Sequence, residues 1–193
     1  MSKRILCLGD SNTYGYDPRS YMGGRYPEIV RWTGRLRLSG LDVLNFGQNG
    51  MSIPVGEQGF SHFRDLILRN QPADLVTVML GSNDLLQSST PDSETIGRRI
   101  EDFQRSLMVP GVRFLLIAPP PMKPGTWVQD ERLLTESASL AQCYLNTAET
   151  LGIAFTNAWA WNVGLTFDGV HFSPDGHASF AAGLMEVLNN LLG

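Results

Sequence analysis

The sequence predicts an α/β protein: a three-layer α/β/α sandwich around a five-stranded parallel sheet with strand order 2-1-3-4-5. Short apolar runs alternate with segments of helical periodicity, which is typical of parallel strands joined by crossover helices. Residues 75–80 are apolar at nearly every position, as expected of a strand covered by helices on both faces. The first run ends in the polar turn Gly9-Asp10-Ser11-Asn12, and this strand order places such a turn at the ligand-binding edge of the sheet.

The predicted strands are short, and most of them end at a turn signal. They cover residues 5–8, 41–45, 75–80, 112–118 and 153–155. The second strand is followed by a turn with two glycines, Gly47 and Gly50, and the third by Gly81-Ser82-Asn83-Asp84. Three prolines at 119–121 end the fourth strand, because proline cannot continue the hydrogen-bond ladder.

The predicted helices lie between these strands. They cover residues 27–38, 60–68, 91–108, 133–151 and 174–192. Pro27 and Pro174 suit the first position of a helix, and Ser93 is expected to cap the third helix. Gly152 is expected to end the fourth helix in a left-handed conformation.

The composition predicts one soluble domain over residues 1–193. Hydrophobic residues make up 42% of the chain and charged residues 18%, and the net charge of −4 is not concentrated in any block. These values predict no nucleic-acid and no membrane partner. The apolar run after Arg4 is too short for a signal-peptide core, and Cys7 and Cys143 lie far apart, so we expect a cytoplasmic protein with free thiols.

Residues that could carry chemistry follow four of these elements. Ser11, Gly50 and Asn83 follow the first three strands, whose carboxyl ends meet at one edge of a parallel sheet. Asp168 and His171 follow the last strand and can reach the same edge. A serine needs a general base, a group that orients the base, and donors for an oxyanion, and this set supplies all of them.

The four blocks that hold these residues resemble those of SGNH hydrolases, in the GDSL esterase/lipase superfamily, and stand in that family's order. The blocks are Gly9-Asp10-Ser11-Asn12, Asn45-Phe46-Gly47-Gln48-Asn49-Gly50, Gly81-Ser82-Asn83-Asp84 and Asp168-Gly169-Val170-His171. Other segments, such as Ala118-Pro119-Pro120-Pro121, resemble the bacterial arylesterase/acyltransferase branch. Asn12 departs from the family pattern, which usually has leucine or isoleucine there.

The resemblance implies a catalytic triad of Ser11, His171 and Asp168 and an oxyanion hole formed by Ser11, Gly50 and Asn83. His62 and His177 are the rival bases, and Gly47 is the rival oxyanion glycine. A helix cap or turn is the structural alternative for Ser11, and a turn is the alternative for Asn83.

Several side chains near these blocks are candidates for the substrate pocket. They are Asn12, Tyr14, Tyr16, Trp127, Trp159 and Trp161. Core packing is the alternative for each aromatic residue.

The function predicted from the resemblance is hydrolysis of carboxylic esters with short acyl chains through an acyl-Ser11 intermediate, with no metal and no cofactor. Acyl transfer to alcohols, and assembly into a homo-oligomer, stay open. Alternatives within the fold are a carbohydrate O-deacetylase and a thioesterase or lysophospholipase. A flavodoxin-like protein that binds FMN at residues 9–15 is the alternative from another class.

Overall fold

A five-stranded parallel sheet forms the centre of the computed structural model, which describes residues 2–20 and 22–193. The strands are β1 (Arg4–Gly9), β2 (Asp42–Gly47), β3 (Leu75–Met79), β4 (Arg113–Ala118) and β5 (Ala154–Asn157). Their order in the sheet is β2-β1-β3-β4-β5, so the predicted topology is confirmed.

Helices connect and cover these strands. They are α1 (Ser11–Tyr14), α2 (Trp32–Leu38), α3 (Gly56–Arg69), α4 (Ser82–Leu86), α5 (Ser93–Leu107), α6 (Glu131–Leu151) and α7 (Pro174–Leu192), with a 3-10 turn at Ala158–Trp161. No helix within the described residues is long and apolar enough to cross a membrane.

Apolar side chains pack on both faces of the sheet because the strands point them alternately to either side. In β1, Leu6 and Leu8 face the core beneath α5 and α6, whereas Ile5 and Cys7 face the core beneath α2 and α7. The three-layer arrangement is therefore as predicted.

The register of the sheet places the ends of its first three strands side by side. Gly9 at the end of β1 pairs with Gly47 of β2 and with Met79 of β3. The turns that follow these strands consequently emerge at one edge, where the candidate residues lie.

Several predicted boundaries are wrong by a few residues. Helix α2 begins at Trp32 rather than Pro27, because Arg31 is extended and the preceding residues form a turn. Gly34 lies so close to this turn that a Cβ there would meet the Glu28 carbonyl oxygen. Asp92, not Ser93, caps α5, since its carboxylate accepts the Thr95 N–H. The structure also extends β2 to Gly47.

Candidate active site

The turn after β1 presents Ser11 at the start of helix α1. The carboxylate of Asp10 caps this helix and accepts the N–H of Asn12 at 2.9 Å. Gly9 is required at the end of the strand, because a Cβ there would lie 2.1 Å from the Thr13 hydroxyl oxygen and 2.8 Å from the Met79 carbonyl oxygen. Close packing of the turn therefore fixes the position from which Ser11 projects.

Ser11, His171 and Asp168 form a continuous series of hydrogen bonds. The Oγ of Ser11 lies 3.0 Å from Nε2 of His171, and Nδ1 of His171 lies 2.8 Å from Oδ2 of Asp168. A carboxylate only accepts hydrogen bonds, so Nδ1 carries the proton and Nε2 is left to accept from the serine hydroxyl. This tautomer can take a proton from Ser11.

Asp168 organises the turn that carries His171. Its Oδ1 accepts the backbone N–H groups of Val170 and His171, both at 2.9 Å. Burial alone would raise the pKa of Asp168, but these bonds and the one from the His171 ring lower it to about 2. The carboxylate therefore stays ionised at neutral pH and can stabilise an imidazolium.

The net pKa shift of Asp10 is in the opposite direction, because burial outweighs its hydrogen bonds. Burial raises the pKa of this carboxyl group to about 6, although the Asn12 N–H and the nearby His171 act to lower it. An ionised Asp10 consequently costs the folded state free energy at neutral pH.

The rival bases lie outside this series. His177 is fully buried, and its Nδ1 accepts the backbone N–H of Trp32 at 3.4 Å. Burial lowers the pKa of His177 to about 3, with a further contribution from the charges of Arg35 and Arg31, so it stays neutral. His62 lies on α3, packed against Phe63.

The candidate oxyanion donors differ in how their hydrogen bonds are used. The N–H of Gly47 already donates to Oδ1 of Asn45 at 2.9 Å. Gly50 has a left-handed backbone, with φ of 71°, and its N–H makes no hydrogen bond within the described part of the chain. The Nδ2 of Asn83 donates to the Met51 carbonyl at 3.0 Å, and an amide nitrogen has a second proton to offer. Of the two glycines, only Gly50 has a backbone N–H left free to donate within the described residues, so Gly50 stays the candidate.

Two aromatic rings flank the imidazole of His171. The ring centroid of Tyr16 lies 4.7 Å from that of His171, and the centroid of Trp127 lies 5.0 Å from it. The loop that carries Trp127 is fixed to the turn that holds Asp168 and His171, because the Trp127 N–H donates to the Asp168 carbonyl at 3.1 Å. Gly125 allows this approach, since a Cβ there would lie 2.3 Å from the Asp168 backbone. Sequence reasoning missed this contact, although the Pro124-Gly125 pair marks the turn.

The other pocket candidates have different environments. Trp161 is partly buried and packs edge-on against Phe180 of α7, so core packing accounts for it. Tyr14 lies under the Arg25 guanidinium, 4.4 Å from it. Trp159 lines a separate cavity of about 250 Å³ next to Pro120 and Pro121. Asn12 is buried rather than exposed to a pocket, because its amide bonds to the backbone beside His171.

A polar cavity of about 540 Å³ lies beside the candidate oxyanion donors. Its lining includes Ser52, Asp84, Gln87 and Arg99, but none of the triad residues. Gln87 connects the cavity to the turn of Gly50, since its Nε2 lies 3.5 Å from the Gly50 carbonyl oxygen.

Asp84 forms one wall of this cavity. Its Oδ2 accepts the Ile53 N–H at 3.0 Å, and its Oδ1 pairs with Arg99 at 3.5 Å. Burial raises the pKa of Asp84. These contacts hold the turn after β2 against α4 and α5.

Comparison with known proteins identifies relatives of this architecture. The sequence profile of the GDSL-like lipase/acylhydrolase family matches residues 7–179. Comparison with curated protein sequences gives no significant match.

Solved structures resemble the chain over nearly its whole length. The native aryl esterase of M. smegmatis is 27% identical, with a TM-score of 0.85 over 98% of this chain and 100% of that one. A carbohydrate acetylesterase family member from Sinorhizobium meliloti is 26% identical, with a TM-score of 0.83 over 99% of both chains. Est24, a carbohydrate acetylesterase from the same organism, shares the fold at 23% identity, with a TM-score of 0.82 over 98% of this chain and 100% of that one.

Proposed function

Because this chain belongs to the GDSL-like lipase/acylhydrolase family and is a carboxylic ester hydrolase, we propose that it cleaves esters of short acyl chains through a covalent acyl-Ser11 intermediate. The observation that carries the proposal is the hydrogen-bonded series from Ser11 through His171 to Asp168 at the carboxyl edge of β1. The fold alone does not imply a reaction, whereas a hydrogen-bonded series of serine, histidine and aspartate is the arrangement that serine hydrolases use for acyl transfer.

In the first half of the reaction, Oγ of Ser11 attacks the ester carbonyl carbon and its proton passes to Nε2 of His171. Asp168 stabilises the imidazolium that results. The negative oxygen of the tetrahedral intermediate accepts hydrogen bonds from the backbone N–H groups of Ser11 and Gly50 and from the Asn83 amide. Collapse breaks the bond to the alcohol oxygen, which leaves with the proton from His171.

In the second half, water attacks the acyl group on Ser11. His171 takes a proton from the water and returns it to Oγ of Ser11, which releases the carboxylic acid. An alcohol in place of water gives acyl transfer by the same steps, so added alcohol competes with hydrolysis for one intermediate.

The restricted access to Ser11 and His171 favours a substrate with a short acyl chain. Only 6% of Ser11 and 3% of His171 is exposed, and Tyr16 and Trp127 lie against the imidazole. We expect kcat/KM for p-nitrophenyl esters to fall steadily as the acyl chain lengthens, and a preference for long chains would contradict this part of the proposal.

An acetylated carbohydrate is the second candidate substrate. The polar cavity beside Gly50 and Asn83 has carboxylate, amide, hydroxyl and guanidinium groups that suit a sugar alcohol. A kcat/KM for acetylated xylose well above that for p-nitrophenyl acetate would favour it over the simple aryl ester.

Replacement of the proposed nucleophile tests the mechanism. Ser11→Ala removes the attacking oxygen, so we expect kcat for p-nitrophenyl acetate to fall by at least about 10³-fold. Ser93→Ala is the matched control, because Ser93 also opens a helix behind an aspartate cap and is buried. Turnover by Ser11→Ala equal to that of Ser93→Ala would contradict the proposal.

A further inference from the structure

The side chain of Asn12 spans the backbone on both sides of His171. Its Nδ2 donates to the Val170 carbonyl at 3.1 Å, and its Oδ1 accepts the Phe172 N–H at 2.9 Å. The residue is 4% exposed, so these bonds are made away from water. The amide therefore makes one donated and one accepted hydrogen bond to the backbone of the turn that carries the proposed base, as the backbone of a neighbouring strand would.

The backbone of Asn12 is fixed as firmly as its side chain. Its N–H donates to the Asp10 carboxylate at 2.9 Å, and its carbonyl accepts the indole N–H of Trp32 at 3.0 Å. Asn12 directly follows Ser11 in α1. A side chain anchored in this way connects the nucleophile turn to the His171 turn with little freedom.

We propose that Asn12 is a positioning residue that holds the turn of His171 at hydrogen-bonding distance from Ser11. This inference rests on the proposed acyl-Ser11 mechanism. The two segments are separated by 160 positions in sequence, and the bond between Oγ and Nε2 requires them to meet within 3.0 Å.

Asp168 by itself cannot hold the turn of His171 in place relative to Ser11. Its side-chain bonds run to the N–H groups of Val170 and His171 and to the His171 ring, all within its own turn. They orient the imidazole relative to that turn, whereas Asn12 fixes the turn relative to the nucleophile. The two side chains therefore have different roles, because each one joins different segments of the chain.

Asn12→Leu removes this connection with little change in volume. It leaves the Val170 carbonyl and the Phe172 N–H without their partner in a buried region, so the turn is expected to shift. A displacement of about 1 Å in a reacting group costs about 10²-fold in rate. We therefore expect kcat to fall by about 10²-fold while KM for p-nitrophenyl acetate changes by less than about threefold.

The experiment measures kcat for each intact site. Wild type, Asn12→Leu and Gln71→Leu are titrated with a phosphonate ester that labels the active serine, and kcat is divided by the labelled fraction. Gln71 is the control because its amide also bridges two backbone groups, Ile67 O and Ala73 N–H, before β3 at the far edge of the sheet. Its variant is expected to keep the wild-type kcat.

Of the two variants, only Asn12→Leu is expected to differ from the wild type. It should show a lower kcat per titrated active site, slower labelling, and loss of the low-field NMR signal of the His171 Nδ1 proton. An unchanged kcat for each labelled site, with only the melting temperature or labelled fraction reduced, would overturn the inference, because Asn12 would then serve folding alone.

Ser11→Ala is assayed beside these variants. If it keeps full activity, the acyl-Ser11 mechanism fails. If it is inactive and Asn12→Leu matches the wild type for each labelled site, the mechanism stands and only the positioning role fails.

Discussion

Asp168→Asn tests whether the carboxylate sets the tautomer of His171. In the wild type, Oδ1 accepts two backbone N–H groups at 2.9 Å and Oδ2 lies 2.8 Å from Nδ1 of His171. The oxygen of the introduced amide is needed at the Oδ1 position, since an NH₂ group there would face two donors. Its nitrogen must then take the Oδ2 position and donate to Nδ1.

This reversal moves the imidazole proton to Nε2, which faces Oγ of Ser11 at 3.0 Å. The serine hydroxyl then has no acceptor for its proton. In a serine protease the same substitution lowers kcat by about 10⁴-fold, and we expect a similar loss here, equivalent to ~5 kcal/mol.

The variant also loses stability, and the assay must separate the two effects. The folded pKa of Asp168 is about 2 against an ordinary value of 3.8, which corresponds to ~2 kcal/mol in favour of the ionised form. That contribution is present above the ordinary pKa and is lost as the pH falls towards 2.

The measurement is kcat/KM for p-nitrophenyl acetate together with urea unfolding, under conditions in which the variant stays folded. Asp175→Asn, an exposed carboxylate in the first turn of α7, is the control and is expected to match the wild type. An Asp168→Asn enzyme that is folded and within tenfold of wild-type kcat/KM would refute the tautomer argument.

Two further predictions concern the neighbours of the triad. Asn83→Ala removes a donor from the proposed oxyanion hole, so steady-state assays should show kcat lower by about 10²–10³-fold, and an unchanged kcat would exclude Asn83 from that role. Asp10→Asn keeps an oxygen for the Asn12 N–H but removes a charge that burial disfavours, since the pKa of Asp10 is raised to about 6. The free energy of unfolding in urea should rise by up to ~3 kcal/mol above that pKa, and the gain should disappear below the ordinary pKa of 3.8. A gain that grew on acidification would show that Asp10 is not destabilised by its charge.

The sequence predicts the strands because each is marked by its own residues, and it predicts their order because a doubly wound sheet binds its ligand beside the end of the first strand. The apolar run before Gly9 and the one at 75–80 need no distant partner to be recognised. The predicted start of α2 is wrong because a proline such as Pro27 suits the first position of a helix and also suits a turn. In the structure it belongs to the turn that packs against Gly34. Local signals of this kind place elements well and their boundaries less well.

The contacts around the candidate site could not be predicted in the same way. Trp127 and Trp161 look alike in sequence, yet one lies beside His171 and the other packs on Phe180, because loop docking decides between them. The bonds of Asn12 join residues about 160 positions apart, and no local pattern marks them. The sequence therefore predicts Asn12 in the pocket, whereas in the structure its amide supports the turn of the proposed base.

The most direct test of the central claim is to map where a phosphonate ester reacts. The account predicts one phosphonyl group per chain, attached to Oγ of Ser11, with esterase activity lost in proportion to labelling and no labelling of Ser11→Ala. Loss of activity with the label on another residue, or full activity after complete labelling of Ser11, would contradict it.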